Sequence, residues 1–517
     1  MPHQNLTPVG QQERIQTIDI LRAFALLGVV IANFTVDNQG VTPAEGRTGF
    51  FDQLVYWPIR FFIDDKAMSM YCFLFGLGFA IQLLRAEERK APFVFTFIRR
   101  MIVLFIIGVI ASCLSAETIP HEYAMVGLLL LIFYKIPGKF LPILALLCVL
   151  VPFARDIIIQ QKSAAVVNSR KEILIDTTLL NRYVGVYQNQ LDTTRKAIIV
   201  RDKDTLFGEG MSMRIRLSGV SDSEFIRREF NHTFTFHKDS TGEISSYVIS
   251  IPGQSNLIYR RINADLQEAL KKQIENRSAT NQQKNKPSYT QFVVNNAIGF
   301  WNRFKNWSWK DFFWGSDITD ILSYFLIGLY AGRRRIFYDV TANKRFLEKV
   351  KLWGFIIGTI GMLILLGSEA WNYIHNIRFR SYPQVLRLFV SLSWSLGVMA
   401  MTFAYAAALT LLLQNDNWKK RLAFLAPVGR MGLTNYLLHV IPYVVFFHYG
   451  FDLSGKIGPF YRLLLALPVY AGLIFLSHWW FKHFRIGPVE WLWRSLTYLK
   501  FQPMRLKTED KIEATRE

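Results

Sequence analysis

Cysteine is scarce. Only Cys72, Cys113 and Cys148 occur in 517 residues, and all three lie inside apolar segments. They allow neither a disulfide framework nor a thiolate metal site at ligand spacing, and they read as inert core thiols. Charge is scarce as well. With 19% charged and 51% hydrophobic residues, the chain lacks the polar content that two or three soluble domains of this length require. No Walker A loop, GxSxG elbow or HExxH helix occurs, which argues against an ATPase, a serine hydrolase and a zincin. The histidines do not cluster with carboxylates at ligand spacing, so no metal site is expected. No small-residue cleavage site follows the first apolar run, which reads as a retained anchor.

What the chain has instead is long apolar runs, at about 17–35, 55–84, 99–116, 122–135, 139–155, 318–332, 352–368, 384–414, 430–449 and 460–482. Roughly 20 helical residues cross a bilayer core. The expected fold class is therefore an all-α polytopic membrane bundle of about ten transmembrane helices, with an inserted extracytoplasmic, mainly β domain. The net charge of +21 sits in the short loops, as topology charge and not as a nucleic-acid surface. With the N-terminus inside, eighteen Lys and Arg fall in cytoplasmic loops, among them Arg85, Arg100, Arg333, Lys344 and Arg430. With the insert left aside, only Arg47, Arg378, Arg380 and Lys456 fall outside. Both termini are thus expected in the cytoplasm of a bacterial cell with the chain in its inner membrane. The expected divisions are a first membrane half at 15–155, a soluble insert at 160–290, a second membrane half at 291–500 and a charged tail at 501–517.

The insert alternates as strands do. Phe230, His232, Phe234 and Phe236 precede a turn at Lys238–Gly242, and Ile244–Ile251 returns as a hairpin. Tyr183–Tyr187 and Met211–Leu217 alternate similarly. A polar helix at Ala264–Glu275 and a linker at 280–287 follow, and the aromatic stretch Phe300–Trp314 suits an interfacial helix.

Ionisable groups inside apolar spans cost about 2.5–3.5 kcal/mol each on insertion scales, so they mark the places to look. Asp19, Arg22 and Asn33 share one stripe of the first span. Asp64, Asp65 and Lys66 interrupt the second, either as a surface ion pair or as a cavity mouth. In the ninth, Asn435 and His439 share a face beside Thr434 and Tyr436, and an intramembrane histidine is a candidate general base. His121, with Glu117 and Glu122, lies on an outer loop as a weaker candidate. Gly487-Pro-Val-Glu-Trp-Leu-Trp-Arg494 suits an interfacial helix start with a Glu490–Arg494 pair.

These residues also carry a resemblance. Ile18-Asp-Ile-Leu-Arg-Ala-Phe-Ala-Leu-Leu-Gly-Val-Val-Ile-Ala-Asn33, Phe73-Leu-Phe-Gly-Leu-Gly-Phe79, Gly429-Arg-Met-Gly-Leu-Thr-Asn-Tyr-Leu-Leu438 and the GPVEWLWR stretch resemble blocks of the YeiB-like membrane proteins, a family of unknown function. That family is similar to a superfamily of transmembrane acyltransferases, which includes the heparan glucosaminide N-acetyltransferases and the acyltransferase-3 proteins. The insert resembles the small β domain found after some serine-hydrolase domains. The acyltransferase-3 pattern has an Arg, ten intervening residues and then a His; here Arg22 is followed at that spacing by Asn33, and no His occurs between Asn33 and His121.

The resemblance implies transfer of an acyl group from a cytoplasmic acyl-CoA, the donor substrate, to an extracytoplasmic acceptor such as a glycan or small molecule. His439 and Asn33 are then the catalytic candidates. Arg22, Lys66, Asn435 and Tyr436 are the candidates for binding donor or substrate. No covalently bound cofactor and no metal are expected. The other reading is a non-enzymatic transporter or ligand-binding membrane protein, its partners the lipid bilayer and a transported or bound solute.

Overall fold

The computed structural model describes residues 15–36, 49–115, 118–168, 172–173, 175–190, 196–209, 214–227, 232–251, 256–271, 288–305, 316–375, 382–454 and 456–505. The expectations for Glu117, Phe230, Met211, the linker at 280–287, the aromatic residues 306–314 and the tail beyond 505 lie outside the described residues. The chain divides into two compact units, Met1–Pro152 with Pro287–Glu517, and Phe153–Lys286.

In the first unit, α1 (Gln16–Thr35), α2 (Phe50–Phe62), α3 (Lys66–Glu88), α4 (Val94–Leu114), α5 (Pro120–Phe133) and the part of α6 (Leu141–Asn168) up to Pro152 precede the insert. After it come α7 (Tyr289–Lys305), α8 (Ser316–Arg333), α9 (Lys344–His375), α10 (Gln384–Leu412), α11 (Gly432–Leu438), α12 (Pro459–Phe481) and α13 (Pro488–Tyr498). Among the described residues, seven stretches are long and apolar enough to cross a membrane: Gln16–Thr35, Phe50–Glu88, Val94–Leu114, Gly138–Ile158, Lys344–Asn372, Gln384–Leu412 and Pro459–Phe481. The chain is an integral, multi-pass membrane protein. On α4, Phe97, Met101, Leu104 and Gly108 point inward, while Ile102, Ile106 and Ile110, four residues apart, stand half exposed. Such an apolar outer stripe suits lipid and not water.

Three of the expected spans differ from this pattern. α5 has 14 residues, about 21 Å of helix against a hydrocarbon core of about 30 Å. α8 has 18 residues but carries Asp317, Asp320 and Arg333. The run at 430–449 is not one helix: α11 ends at Leu438, Val440–Val444 resumes, and Val445–Tyr449 closes in a π-helical turn. Pro442 has no N–H to return to Leu438, which breaks the ladder there. In the second stretch, α2 and α3 are separated at Ile63–Asp65, where Asp65 takes φ +62°.

α1 is the axis of the unit. Ile18, Leu21 and Ala25 join one buried cluster, and Ala23, Leu26, Val29, Val30 and Phe34 join another. Two close approaches hold the neighbouring helices. A Cβ on Gly76 of α3 would overlap the backbone of Phe325 on α8, and one on Gly429 would overlap the Asp19 carbonyl of α1. Small residues at such crossings let helix backbones meet.

The second unit is a closed, eight-stranded antiparallel barrel: β1 (Gly185–Asn189), β2 (Lys196–Asp202), β3 (Thr205–Glu209), β4 (Arg214–Gly219), β5 (Glu224–Arg227), β6 (His232–Lys238), β7 (Ile244–Ser250) and β8 (Leu257–Ile262). The expected hairpin is β6–β7, with Phe236 opposite Tyr247. At its turn the Asp239 carboxylate accepts from the backbone of Thr241 at 2.9 Å and Glu243 at 3.1 Å. Hydrogen bonds from Thr241 hold that carboxyl below the usual range. Inside, Tyr183 meets Phe225 and Phe236, each at 5.0 Å between ring centroids, and Tyr187 meets Tyr247 at 4.9 Å. An eight-stranded barrel is just wide enough for side chains to fill, and these rings, with Leu206 and Leu217, fill this one.

Candidate functional site: two chambers about a broken helix

α11 begins inside the membrane unit, so its first backbone N–H groups need partners that water cannot supply. Glu490, at the start of α13, supplies them. One carboxylate oxygen accepts from Leu433 N at 2.8 Å and from Thr434 N at 3.0 Å, and the other accepts the Thr434 hydroxyl. Thr434 in turn accepts from Val489 N at 3.1 Å. Glu490 is buried, so the GPVEWLWR segment acts as a cap for α11 and not only as an interfacial anchor. Trp493 inserts as well. Its indole donates to the Arg100 carbonyl at 2.8 Å, and the Arg100 guanidinium stacks 3.9 Å above its ring.

The far end of α11 delivers His439. Its Nδ1–H donates to the Tyr436 carbonyl, which leaves Nε2 as the acceptor. Asn33 of α1 donates to that Nε2 through Nδ2 at 2.9 Å. The first-span and ninth-segment candidates, 406 residues apart in sequence, therefore meet. Both ring nitrogens of His439 are engaged within the protein, and the ring is buried at 1% exposure. Asn33 keeps a second N–H and its carbonyl oxygen, and it lies on the wall of a cavity.

That cavity, of about 780 Å³, is lined by acids and an imidazole: Asp64, Asp65, Glu122, Asp320 and His121 join Asn33. A second chamber, of about 240 Å³, is lined by guanidinium groups: Arg22, Arg100, Arg430 and Arg494, with Glu490 among them. Met68, Ile119, Tyr123 and Tyr436 belong to both walls. Tyr123 is braced in this partition, within hydrogen-bond reach of Cys72 Sγ at 3.0 Å and Met68 Sδ at 3.1 Å. Arg22 and Asn33 are eleven residues apart on α1, about 16 Å along its axis, so α1 carries one of them to each chamber.

The other sequence candidates are not all gathered here. Arg22 pairs with Asp19 at 2.9 Å on the edge of the basic chamber. Lys66 is almost fully buried, but it donates to the Arg60 carbonyl at 3.0 Å. It belongs to a cluster in which Arg60 pairs with Asp64, with Asp65 at 3.4 Å and with Glu369 at 2.9 Å. Lys66 lines neither chamber among the described residues. Asn435 turns away too, donating to Val428 O at 3.1 Å and Ser477 Oγ at 2.8 Å, and so ties α11 to α12. Tyr436 stands in the partition. In the sequence Arg100 reads as topology charge and Arg494 as the surface partner of Glu490, and nothing there marks Tyr123, Asp320 or Arg60. Arg100 carried a usable signal, being a charge inside an apolar run.

Comparison with known proteins fits this arrangement. Residues 14–181 match the family profile of heparan-alpha-glucosaminide N-acetyltransferase, catalytic, and residues 331–500 match that of a protein of unknown function, DUF418. An uncharacterized protein, YxaH, of Bacillus subtilis (strain 168) is 24% identical across 98% of this chain and 99% of its own length. An uncharacterized 39.9 kDa protein of the amylase 3′ region of Bacillus acidopullulyticus is 23% identical over the same shares. The uncharacterized protein YeiB of Escherichia coli (strain K12) is 34% identical over 166 residues, 31% of this chain and 41% of that protein. The chain is similar to the uncharacterized YeiB-like membrane proteins. Its first membrane half, which holds Arg22, Asn33, His121 and Tyr123, is acyltransferase-like. No solved structure matches it.

Proposed function

We propose that this YeiB-like protein moves an acyl group from a cytoplasmic acyl-CoA to an extracytoplasmic acceptor such as a sugar. One observation carries the reading: a basic chamber and an acidic, histidine-bearing chamber share a wall. Four guanidinium groups suit the phosphates of a CoA donor, since Arg matches phosphate geometry in paired hydrogen bonds. At about 240 Å³, the basic chamber cannot hold the whole donor: its arginines take the phosphates, the adenosine stays outside, and the pantetheine arm carries the thioester towards the shared wall. Asn33 is placed to give its second N–H to the oxyanion that forms as the thioester is attacked, and His439 positions that amide. Arg22 takes part in binding the donor, and Tyr436 forms part of the gate between donor and acceptor. Lys66 and Asn435 support these walls from behind.

The topology that goes with this reading is the one the loop charges favour. Both termini lie in the cytoplasm of a bacterial inner membrane, ten crossings include the short and broken ones, and the barrel stands outside with the acceptor. The test is acetyl-CoA binding and turnover by detergent-purified protein, wild type beside His439→Ala and Arg100→Ala. Turnover by wild type that falls sharply in His439→Ala, with donor binding weakened in Arg100→Ala, is expected. Absence of binding at near-millimolar acetyl-CoA in folded protein would refute the reading.

The half-buried cluster of Arg60, Asp64, Asp65, Glu369 and Lys66 favours a second reading, a transporter or ligand-binding protein without chemistry. Ionisable groups at membrane depth often line ion or proton paths. Solute flux into vesicles without consumption of acyl-CoA distinguishes it.

A further inference from the structure

Where donor and acceptor approach from opposite sides, the acyl carbonyl has to reach the wall that the two chambers share. Met68, Ile119, Tyr123 and Tyr436 belong to that wall, and of these only the tyrosines carry a hydroxyl that can donate. Tyr123 is the fourth residue of α5. Its ring meets Phe75 of α3 and Phe325 of α8 edge to face, at 5.9 Å and 5.7 Å between centroids. Two flanking rings fix the direction of the phenol, and its hydroxyl lies against Met68.

The partners of that hydroxyl are poor ones. The Cys72 thiol donates to its oxygen at 3.0 Å. Its own hydrogen faces Met68, with the thioether Sδ at 3.1 Å and the carbonyl oxygen at 3.4 Å. A thioether is a weak acceptor, and 3.4 Å is long for a hydroxyl–carbonyl bond, which prefers about 2.7–2.8 Å. A carbonyl oxygen brought to the wall would therefore take the phenol hydrogen in preference to Met68. Met68 is half buried, and its unbranched, flexible side chain is of the kind that swings aside at low cost. The sulfur acts as a placeholder, keeping the phenol hydrogen directed until a better acceptor arrives.

We propose that Tyr123 donates the hydrogen bond that receives the acyl carbonyl oxygen at the shared wall, and that Met68 yields to it; this rests on the acyl-transfer reading above. The acceptor's nitrogen or oxygen bonds to the acyl carbon, the C=O electron pair moves onto oxygen, and Tyr123 stabilises that oxyanion. On collapse the C=O bond re-forms, the C–S electron pair leaves with sulfur, and the acceptor's proton ends on the thiolate to give free CoA. Tyr123 keeps its own proton throughout. Asn33 serves the same oxyanion from the outer side. Cys72 and Met68 are positioning residues.

The test uses purified full-length protein and follows thiol release from acetyl-CoA, with glucosamine and glucose as acceptor probes. Equilibrium binding of acetyl-CoA and of free CoA is measured beside it, because free CoA lacks the acyl carbonyl. Tyr123→Phe keeps the ring and removes only the hydroxyl. Loss of one oxyanion donor costs about 10²–10³-fold in kcat, and that loss is expected with CoA binding within about twofold of wild type. The affinity for acetyl-CoA relative to CoA should fall by about threefold to tenfold, as for one neutral hydrogen bond. Met68→Leu, which removes the competing sulfur, should move the same ratio the other way. If Tyr123→Phe keeps turnover within about threefold, or leaves the ratio unmoved, the assignment is wrong while acyl transfer stands. If Tyr123→Phe fails to fold or to bind CoA, Met68→Leu decides, and an unmoved ratio overturns the assignment. A wild type that binds acetyl-CoA but releases no thiol overturns the transfer reading and this assignment together.

Discussion

Glu490→Ala should loosen the membrane unit at one definable place. The carboxylate accepts from two backbone N–H groups and one hydroxyl at the start of α11. Hydrogen bonds to a charged group contribute about 1.5–3 kcal/mol each, and a buried donor left without a partner costs about 1–3 kcal/mol. Loss of a helix N-cap alone costs about 0.5–2 kcal/mol. Part of this is offset because Ala no longer has a carboxylate to desolvate. We expect a net loss of about 3 kcal/mol, or roughly a hundredfold in the unfolding equilibrium. Glu490→Gln keeps one oxygen for Leu433 and Thr434 and should lose only about 1 kcal/mol. The assay is thermal unfolding in detergent followed by tryptophan fluorescence, with thermal-inactivation half-lives as a kinetic check. The expected order is wild type, then Gln, then Ala. An alanine variant as stable as wild type would show that α11 does not depend on this cap.

Four further outcomes follow from the same geometry. Asn33→Ala removes the partner of His439 Nε2 and should abolish acetyl-CoA turnover at least as fully as His439→Ala does, whereas additive losses in the double variant would show that the two do not act as a pair. Gly429→Ala puts a Cβ on the Asp19 carbonyl and forces α1 to move, at a cost of about 1–3 kcal/mol or more; a melting temperature unchanged from wild type would contradict that contact. Phe236→Ala empties the barrel centre at about 3–5 kcal/mol, so limited proteolysis of the full chain should cut between 153 and 286 first. In the barrel turn, a carboxyl held below its usual pKa stabilises the fold above the ordinary carboxylate range and loses that contribution as pH falls through the depressed value. Asp239→Ala should therefore weaken the β6–β7 turn at pH 6 and differ little from wild type near pH 2, as pulse proteolysis in urea with thermolysin or pepsin can measure.

Much of this was legible in the sequence, for physical reasons that can be named. Apolar runs and the β-period report burial directly, so the membrane character, the insert and the β6–β7 hairpin could all be read. The polar stripe of α1 pointed to Asn33, and the ninth segment pointed to His439. Their contact was not legible, because a hydrogen bond between groups 406 residues apart leaves no local pattern. Lys66 and Asn435 were singled out for being polar in apolar surroundings, and that signal does not distinguish a cavity wall from a buried tie. Glu490 shows the same ambiguity in reverse. Its i,i+4 relation to Arg494 suggested a surface pair, but an N–H left open on another helix decides where it goes.

The broken segment at 430–449 joins the fold to the chemistry. An unbroken helix bonds all its interior N–H and C=O groups to itself and can offer a membrane cavity only side chains. A helix that stops at Leu438 frees the Tyr436 carbonyl to set the tautomer of His439, and through Nε2 to set the direction of the Asn33 amide. The interruption requires an internal cap at the other end, which is why Glu490 reaches in from α13. α13 also brings Trp493 under Arg100 on the basic chamber. The cap, the stacked arginine and the Asn33–His439 pair are thus one construction. A substitution at Glu490 should for this reason disturb donor binding and turnover together, while one at Asn33 should spare donor binding and remove turnover alone.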